Sequence, residues 1–246
     1  MSGASRVTAR PVIRWALLVF LIAATLGFIA LGVWQVERLQ WKRDLIARVD
    51  ARVHASPDRL PASSFRSAPN PAEDEYRRVT ATGRLLHTQE VAVYATTERG
   101  PGYWIMTPLV TPDGAVWINR GYVDNAHRAR DSRARHDESD TVSVTGLLRL
   151  PEQHGLFLRA NVPDEDRWYT RSPAEFSAAR MVDGPVAPFF IDAQDRIDTG
   201  HWPVPGLTMV QFRNNHLSYA LTWFGMALLG LLATGFVLRS EFRRKR

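Results

Sequence analysis

The chain has 246 residues, with 31 lysines and arginines against 25 aspartates and glutamates, and it contains no cysteine. The lack of thiols excludes disulfides, thiolate sites for zinc, copper or iron–sulfur clusters, and a cysteine nucleophile. Eight basic residues and one acid lie in the two terminal tails, so the middle of the chain is close to neutral. Because nucleic-acid recognition needs a basic face on the folded domain, we exclude a nucleic-acid partner.

Two uncharged apolar stretches lie near the ends of the chain, at residues 15–34 and 217–238. Each has about the 20 residues that span a hydrocarbon core of roughly 30 Å as a helix. The first stretch is longer than the apolar part of a signal peptide, and no small-residue cleavage site follows it. We therefore predict two uncleaved transmembrane helices at these positions.

The charges of the tails predict the orientation of both helices. Residues 1–14 carry three arginines and no acid, and residues 239–246 carry five basic residues against Glu241. Basic flanks stay on the cytoplasmic side and interact with anionic membrane lipid, so both tails are predicted to be cytoplasmic. The predicted location is a multi-pass protein of the inner (plasma) membrane with a periplasmic main domain; the alternative is the mitochondrial inner membrane.

Between the spans we predict three segments. Residues 35–56 keep helical spacing of apolar residues and extend the first helix out of the bilayer, with Trp34 and Trp41 near the membrane surface. Residues 57–74 are rich in proline and serine and are predicted to be an extended linker. Residues 75–216 are predicted to form one extracytoplasmic β-rich domain.

This domain has the alternating patterns of strands, a Pro112-Asp113-Gly114 turn typical of a hairpin, and one helix predicted at 173–181. Residues 128–140, alternating in charge, are predicted to be an exposed loop. The fold class is a membrane protein of α+β type: two transmembrane helices flank a mostly antiparallel β barrel or sandwich with one or two helices. The predicted strands are 76–86, 90–95, 103–111, 115–123, 141–150, 156–160, 188–192 and 207–212.

The chain lacks the sequence motifs of common enzymes, and six of its seven histidines are scattered singly through polar segments. We therefore expect no catalysis. The seventh, His216, lies at the mouth of the second span, with Tyr219, Ala220 and Trp223 on its helical face. A neutral imidazole beside aromatic surface suits axial ligation of a haem, and a polar residue that caps the helix is the alternative.

Several blocks of sequence carry a family resemblance. In chain order they are Gly32-x-Trp34-Gln35-x-x-Arg38-x-x-Trp41-Lys42, Tyr76-Arg77-Arg78-Val79 with Gly83, Gly102-Tyr103-Trp104-Ile105-Met106-Thr107-Pro108-Leu109, Val116-Trp117-Ile118-Asn119-Arg120-Gly121-Tyr122-Val123, and Asn215-His216-Leu217-x-Tyr219-Ala220-Leu221-Thr222-Trp223. With these blocks the chain resembles the surfeit-locus-one family, membrane proteins that assist assembly of haem-copper cytochrome c oxidase. One departure is Tyr122-Val123-Asp124, where the family usually has tryptophan and then valine-proline.

The resemblance implies a chaperone that delivers or positions haem a during maturation of the large subunit of the oxidase. The cofactor is then haem a, His216 matches the family's histidine and would ligate the haem iron, and Trp34, Trp41, Tyr219 and Trp223 would line the site. The implied partners are the large subunit and the haem a synthesis machinery. Asn119-Arg120-Gly121 has a structural explanation instead, in a hairpin that needs glycine and an arginine paired with a carboxylate.

Three alternatives remain. A membrane-anchored scaffold could stabilise an oxidase intermediate, or another periplasmic complex, without binding haem. Co-polymerases of polysaccharide export share two terminal spans but have long helical projections, whereas this middle is strand-rich. A membrane-tethered hydrolase would need a nucleophile or metal constellation that the sequence does not contain.

Overall fold

The computed structural model describes residues 9–65, 67–133, 139–152, 159–197, 200–207 and 214–244. The chain forms two compact units. One consists of Met1–Arg48 and Gln211–Arg246, and the other of Val49–Val210. We refer to the two long helices of the first as the helix pair and to the second as the β-rich unit.

The helix pair consists of α1, Ala9–Val53, and α4, His216–Arg244. Both are long and apolar enough to cross a membrane, as the sequence predicts. With 45 residues, α1 is about 68 Å long, far more than one bilayer core needs. The single helix therefore covers the predicted span and the predicted extension as far as Val53, and the described parts of both tails are helical as well.

Small residues allow α1 and α4 to pack closely and antiparallel. A Cβ atom added at Gly32 would lie 2.6 Å from the ring of Phe224, and one added at Gly230 would lie 2.3 Å from Thr25 Oγ1. Contacts of this kind, made by small residues, are typical of helices that associate in lipid. Large side chains on the remaining faces point outward.

The β-rich unit contains one seven-stranded sheet in the order β1-β2-β6-β7-β5-β4-β3. A further pairing of β2 with β4 closes five of these strands into a barrel. All pairs are antiparallel except β1–β2 and β5–β7, so the predicted mostly antiparallel barrel is confirmed. The strands are β1 Asp58–Arg59, β2 Arg78–Leu85, β3 Val91–Thr97, β4 Gly100–Thr111, β5 Gly114–Val123, β6 Thr141–Arg149 and β7 Val186–Ala193.

The barrel closes through a short seam. Only two residue pairs join β2 to β4, Arg84 with Val110 and Leu85 with Leu109. At the edge of this seam, a Cβ atom on Gly83 would lie 2.2 Å from the carbonyl oxygen of Val110. The two backbones approach this closely because residue 83 has no side chain.

Two other helices belong to the β-rich unit, α2 at Pro71–Asp74 and α3 at Pro173–Arg180. The predicted helix at 173–181 is confirmed as α3, and Pro173 occupies its first turn. Helix α3 packs through Phe176 against the rings of Trp117 and Trp168, both at 5.1 Å between centroids. Trp117 also donates a hydrogen bond of 2.8 Å to Ser177 Oγ.

The prediction of a linker at 57–74 is wrong. Leu60 and Phe65 are buried in the main core, β1 pairs with β2, and a 3-10 helix forms at Ala62–Phe65. The prolines and serines of this segment indicated an extended chain, but its two apolar anchors outweigh that composition. The folded unit therefore begins before residue 75.

Two other predictions differ in part. The predicted strands at 156–160 and 207–212 lie mostly outside the described residues, and Arg159, Ala160 and Leu207 are not in strands. The predicted exposed loop at 128–140 contains a 3-10 helix at Arg130–Ser132, and Arg133 is buried. The guanidinium of Arg133 pairs with the carboxylate of Glu90, which offsets the cost of burying its charge.

Candidate functional site

His216 is the first residue of α4, at the end of the helix pair where α1 contributes Gln35. The backbone N–H of His216 lies 3.4 Å from Asn214 Oδ1. Its side chain is half-buried, and Nδ1 lies 2.7 Å from Gln35 Oε1. Because an amide oxygen can only accept, Nδ1 is the donor in this contact, and Nε2 lies on the other side of the ring from Gln35. The contact with Gln35 therefore leaves Nε2 as the ring nitrogen without a partner in this hydrogen bond.

The next turns of α4 divide into two faces. Ala220 is buried, and Trp223 stacks on Phe28 of α1 with 5.8 Å between ring centroids. Tyr219, predicted on the same face, is 55% exposed. Trp223 thus fixes α4 against α1 about two turns from His216, and Tyr219 adds aromatic surface on the outside of the pair.

Trp34 and Trp41 are both about half exposed, at 50% and 49%. The guanidinium of Arg38 lies 4.7 Å above the ring of Trp41, a cation–π contact. Within the described residues, no hydrogen bond or ring stacking joins either tryptophan to His216. The structure therefore brings His216 and Trp223 against α1, and it leaves Trp34, Trp41 and Tyr219 as separate exposed rings.

The chemistry of this donor set fits a haem. Haem iron in proteins is often held by a histidine nitrogen, and the macrocycle is largely apolar and suits apolar surface beside that residue. His216 presents such a nitrogen, and large apolar side chains next to it, Leu217 and Tyr219, are exposed. In the parts of the chain that the structure describes, no three histidine or acidic side chains are grouped to hold a metal ion by themselves.

Sequence reasoning assigned no role to Gln35, although it is part of the first motif. The side chain is 9% exposed and lies 181 residues from its partner in the chain. The available sequence signal was the position of Gln35, a polar residue that directly follows an uncharged run of 20 residues. Its pairing could not be read from spacing, because spacing describes contacts within one helix only.

The Asn119-Arg120-Gly121 motif is structural, as predicted. Buried Arg120 lies 3.3 Å from Glu90 Oε2 and donates to His87 Nδ1 at 3.1 Å. Gly121 has a φ of +130°, and a Cβ atom there would lie 2.3 Å from the carbonyl oxygen of Val204. The motif thus serves the packing of β5.

A second buried network centres on Asp192 of β7. Its carboxylate accepts from Asn119 at 2.8 Å, from Arg149 at 3.1 Å and from Arg171 at 3.3 Å. Burial alone would lower the pKa of Arg171, but the negative charges of Asp192 and Glu152 raise it above its usual value. The guanidinium stays charged and paired, so these residues hold strands together and are not poised for proton transfer.

Comparisons with known proteins give a consistent result. The model of the SURF1 family matches residues 22–228. Surfeit locus protein 1 of Mus musculus is 32% identical over 95% of this chain and 76% of its own length. Surfeit locus protein 1 of Homo sapiens is 30% identical over 94% of this chain and 78% of its own. A SURF1-like protein of Monosiga brevicollis is 31% identical over 94% of this chain and 89% of its own.

Proposed function

Since the chain belongs to the SURF1 family, we propose that it is an assembly factor for haem-copper cytochrome c oxidase. In this role it binds haem a through His216 and assists insertion of that haem into the large catalytic subunit. Membership of the family supports the role in oxidase assembly. The observation that carries the haem-binding part is the geometry of His216.

His216 is suited to hold a haem because its two ring nitrogens have different tasks. Nδ1 is bonded to Gln35 at 2.7 Å, so the ring is fixed in one orientation. Nε2 keeps its lone pair for a metal. His216 would hold the haem through this nitrogen, and the haem would supply the iron to which it binds. The chain performs no chemistry on the haem in this proposal; it binds, orients and releases.

The aromatic residues around His216 have supporting roles. Trp223 holds α4 against Phe28, which fixes the height of His216 along the helix pair. Tyr219, Trp34 and Trp41 supply exposed aromatic surface for a porphyrin or for the membrane interface. We propose that Tyr219 contacts the haem, because it lies one turn from His216 on the same helix.

The proposal includes a topology and partners. Both basic tails are cytoplasmic, and the β-rich unit lies in the periplasm, where it meets the large subunit of the oxidase; the haem a synthesis machinery is a second partner. Reporter fusions test the topology. A cytoplasm-specific reporter is expected to be active after Arg243, and a periplasm-specific reporter after Asp183. The reverse pattern would overturn the orientation.

Titration of the purified full chain with haem a tests the binding. Wild type is expected to develop a shifted Soret band that saturates at one haem per chain. His216→Ala is expected to lose at least about tenfold in affinity because the axial ligand is gone. The control is His201→Ala, which removes an exposed imidazole from the β-rich unit. Equal affinity of wild type and His216→Ala would retire the ligand assignment.

The second candidate function, a scaffold for an oxidase intermediate, is favoured if haem does not bind while oxidase assembly still depends on the protein. Deletion of the protein is expected to lower assembled oxidase and to leave haem a in the membrane. If haem b or haem o accumulates with no haem a, the protein belongs to haem synthesis and both proposals fail.

A further inference from the structure

We infer that Gln35 is a positioning residue that sets both the tautomer of His216 and the strength with which it holds a ligand. The inference rests on the proposed function, since the ligand in question is the haem iron. It goes further than the proposed function because it makes Gln35 the residue that determines how tightly haem is held and how fast it is released. The hydrogen bond between Gln35 of α1 and His216 of α4 is the observation behind it.

With Gln35 Oε1 facing Nδ1, this hydrogen bond favours the tautomer that carries its proton on Nδ1. The distance of 2.7 Å between Nδ1 and Oε1 is at the short end of the range for N–H···O bonds. Gln35 is 9% exposed, so water competes poorly for its oxygen. With the proton on Nδ1, the lone pair lies on Nε2, which points away from Gln35 because the two nitrogens diverge across the ring. The imidazole is thus oriented before any ligand arrives.

Metal-binding histidines commonly donate their second N–H to an oxygen acceptor. Loss of such an acceptor usually costs roughly 10- to 100-fold in metal affinity, since the ring can then rotate and exchange tautomers. Gln35 occupies this acceptor position for His216. The sequence of α4 alone does not reveal this acceptor, because it comes from α1.

The acceptor at position 35 is a neutral amide and not a carboxylate, and this difference affects how strongly His216 binds iron. A carboxylate would withdraw more of the Nδ1 proton, make Nε2 more basic and strengthen its bond to iron. The neutral amide of Gln35 orients the ring without that additional strengthening. A protein that hands its haem to another protein needs a ligand that is oriented but exchangeable. We therefore expect glutamate at position 35 to hold haem more tightly and to release it more slowly.

The tautomer is tested without haem, by ¹⁵N NMR of the full chain labelled at histidine in detergent micelles. The His216 signals are identified by their loss in His216→Ala. Wild type is expected to show a protonated Nδ1 and an unprotonated Nε2, and Gln35→Leu is expected to show both tautomers. The control is Gln40→Leu, the same substitution at an exposed position of the same helix. An unchanged His216 spectrum in Gln35→Leu would overturn the inference, whatever the haem result.

Haem affinity is then measured by Soret titration of the same variants, and release by transfer to excess apomyoglobin. Gln35→Leu is expected to bind about 10- to 100-fold more weakly than wild type, and Gln35→Glu more tightly with slower transfer. Helix content by circular dichroism checks that each variant folds, and binding by Gln35→Glu provides the rescue. If His216→Ala loses haem but Gln35→Leu binds like wild type, the proposed function stands and the inference fails. If His216→Ala keeps its haem, the proposed function fails by itself.

Discussion

The helix pair and the β-rich unit bury opposite kinds of residue. In the β-rich unit the largest aromatic side chains are inside, among them Trp117, Phe176 and Phe190. In the helix pair large apolar side chains such as Phe236 are outside, and Gly32 and Gly230 lie where the helices meet. Water drives aromatic rings inward, whereas lipid is as apolar as the rings and leaves close backbone packing to decide the contact.

Because of this contrast, the hydrogen-bonded polar pair of Gln35 and His216 is unusual in the helix pair. In the β-rich unit, buried polar groups such as Asp192 and Arg171 serve to satisfy one another within a large fold. Apolar helices associate through packing, so a polar pair between them is not required to hold them together. A buried amide bonded to an imidazole in this environment is therefore a candidate for function more than for stability.

The largest expected effect is on the free energy of unfolding, and it compares a ring buried in the β-rich unit with a ring exposed on the helix pair. Phe176→Ala removes a fully buried ring between Trp117 and Trp168 and is expected to cost about 3–5 kcal/mol of unfolding free energy. Phe236→Ala, the same change at a ring that is 76% exposed on α4, is expected to cost little. Urea unfolding of the full chain in detergent, followed by tryptophan fluorescence, measures both. Similar losses for the two variants would contradict the contrast.

An engineered disulfide tests the close packing of α1 against α4 in the helix pair. A Cβ atom on Gly230 lies 3.4 Å from the Cβ of Thr25, close to the span of a disulfide at about 3.5–4.5 Å. Because the chain has no cysteine, the double variant Thr25→Cys with Gly230→Cys is expected to form one internal disulfide under mild oxidation. Cleavage in the β-rich unit should then release fragments that separate only after reduction.

The matched control for this cross-link uses two other helix glycines. Gly27 and Gly235 have no atom within 4 Å of an added Cβ, so Gly27→Cys with Gly235→Cys is expected to stay reduced. Equal cross-linking of both double variants would mean that α1 and α4 do not pack as described.

The smallest expected effect is a dependence of stability on pH in the β-rich unit. Hydrogen bonds from the side chain and backbone of His127 lower the pKa of Asp124 below its ordinary value of 3.8. A carboxyl with a lowered pKa in the folded state adds stability above its ordinary pKa, and this contribution is lost as pH falls through the lowered value. Asp124→Asn should therefore remove a small part of the acid destabilisation below about pH 4.

Urea midpoints of the full chain between pH 2 and 7 measure this effect, and they are compared with those of Asp183→Asn, a change at an exposed residue. We expect the curves of wild type and Asp124→Asn to converge at the acid end. Parallel curves at every pH would show that Asp124 has the same pKa in the folded and unfolded chain.

Features of the fold that depend on local pattern could be predicted from the sequence. The apolar runs of the two helices, the alternation of β2 and β3, the turn at Asp113 and the proline at the start of α3 are all local. The burial of Leu60 and Phe65 was missed because it depends on strands far along the chain. The partner of His216 was missed for the same reason, since sequence periodicity on α4 cannot point to Gln35.

The seam between β2 and β4 has a consequence for genetics. Two residue pairs close the barrel, and any side chain at position 83 would collide with the backbone of Val110. A substitution of Gly83 is therefore expected to cause misfolding and degradation, although Gly83 lies outside the candidate site. On the proposed function, such alleles would score like those of His216 in a screen for loss of oxidase. Protein abundance would tell them apart, because only the Gly83 alleles should lack the protein.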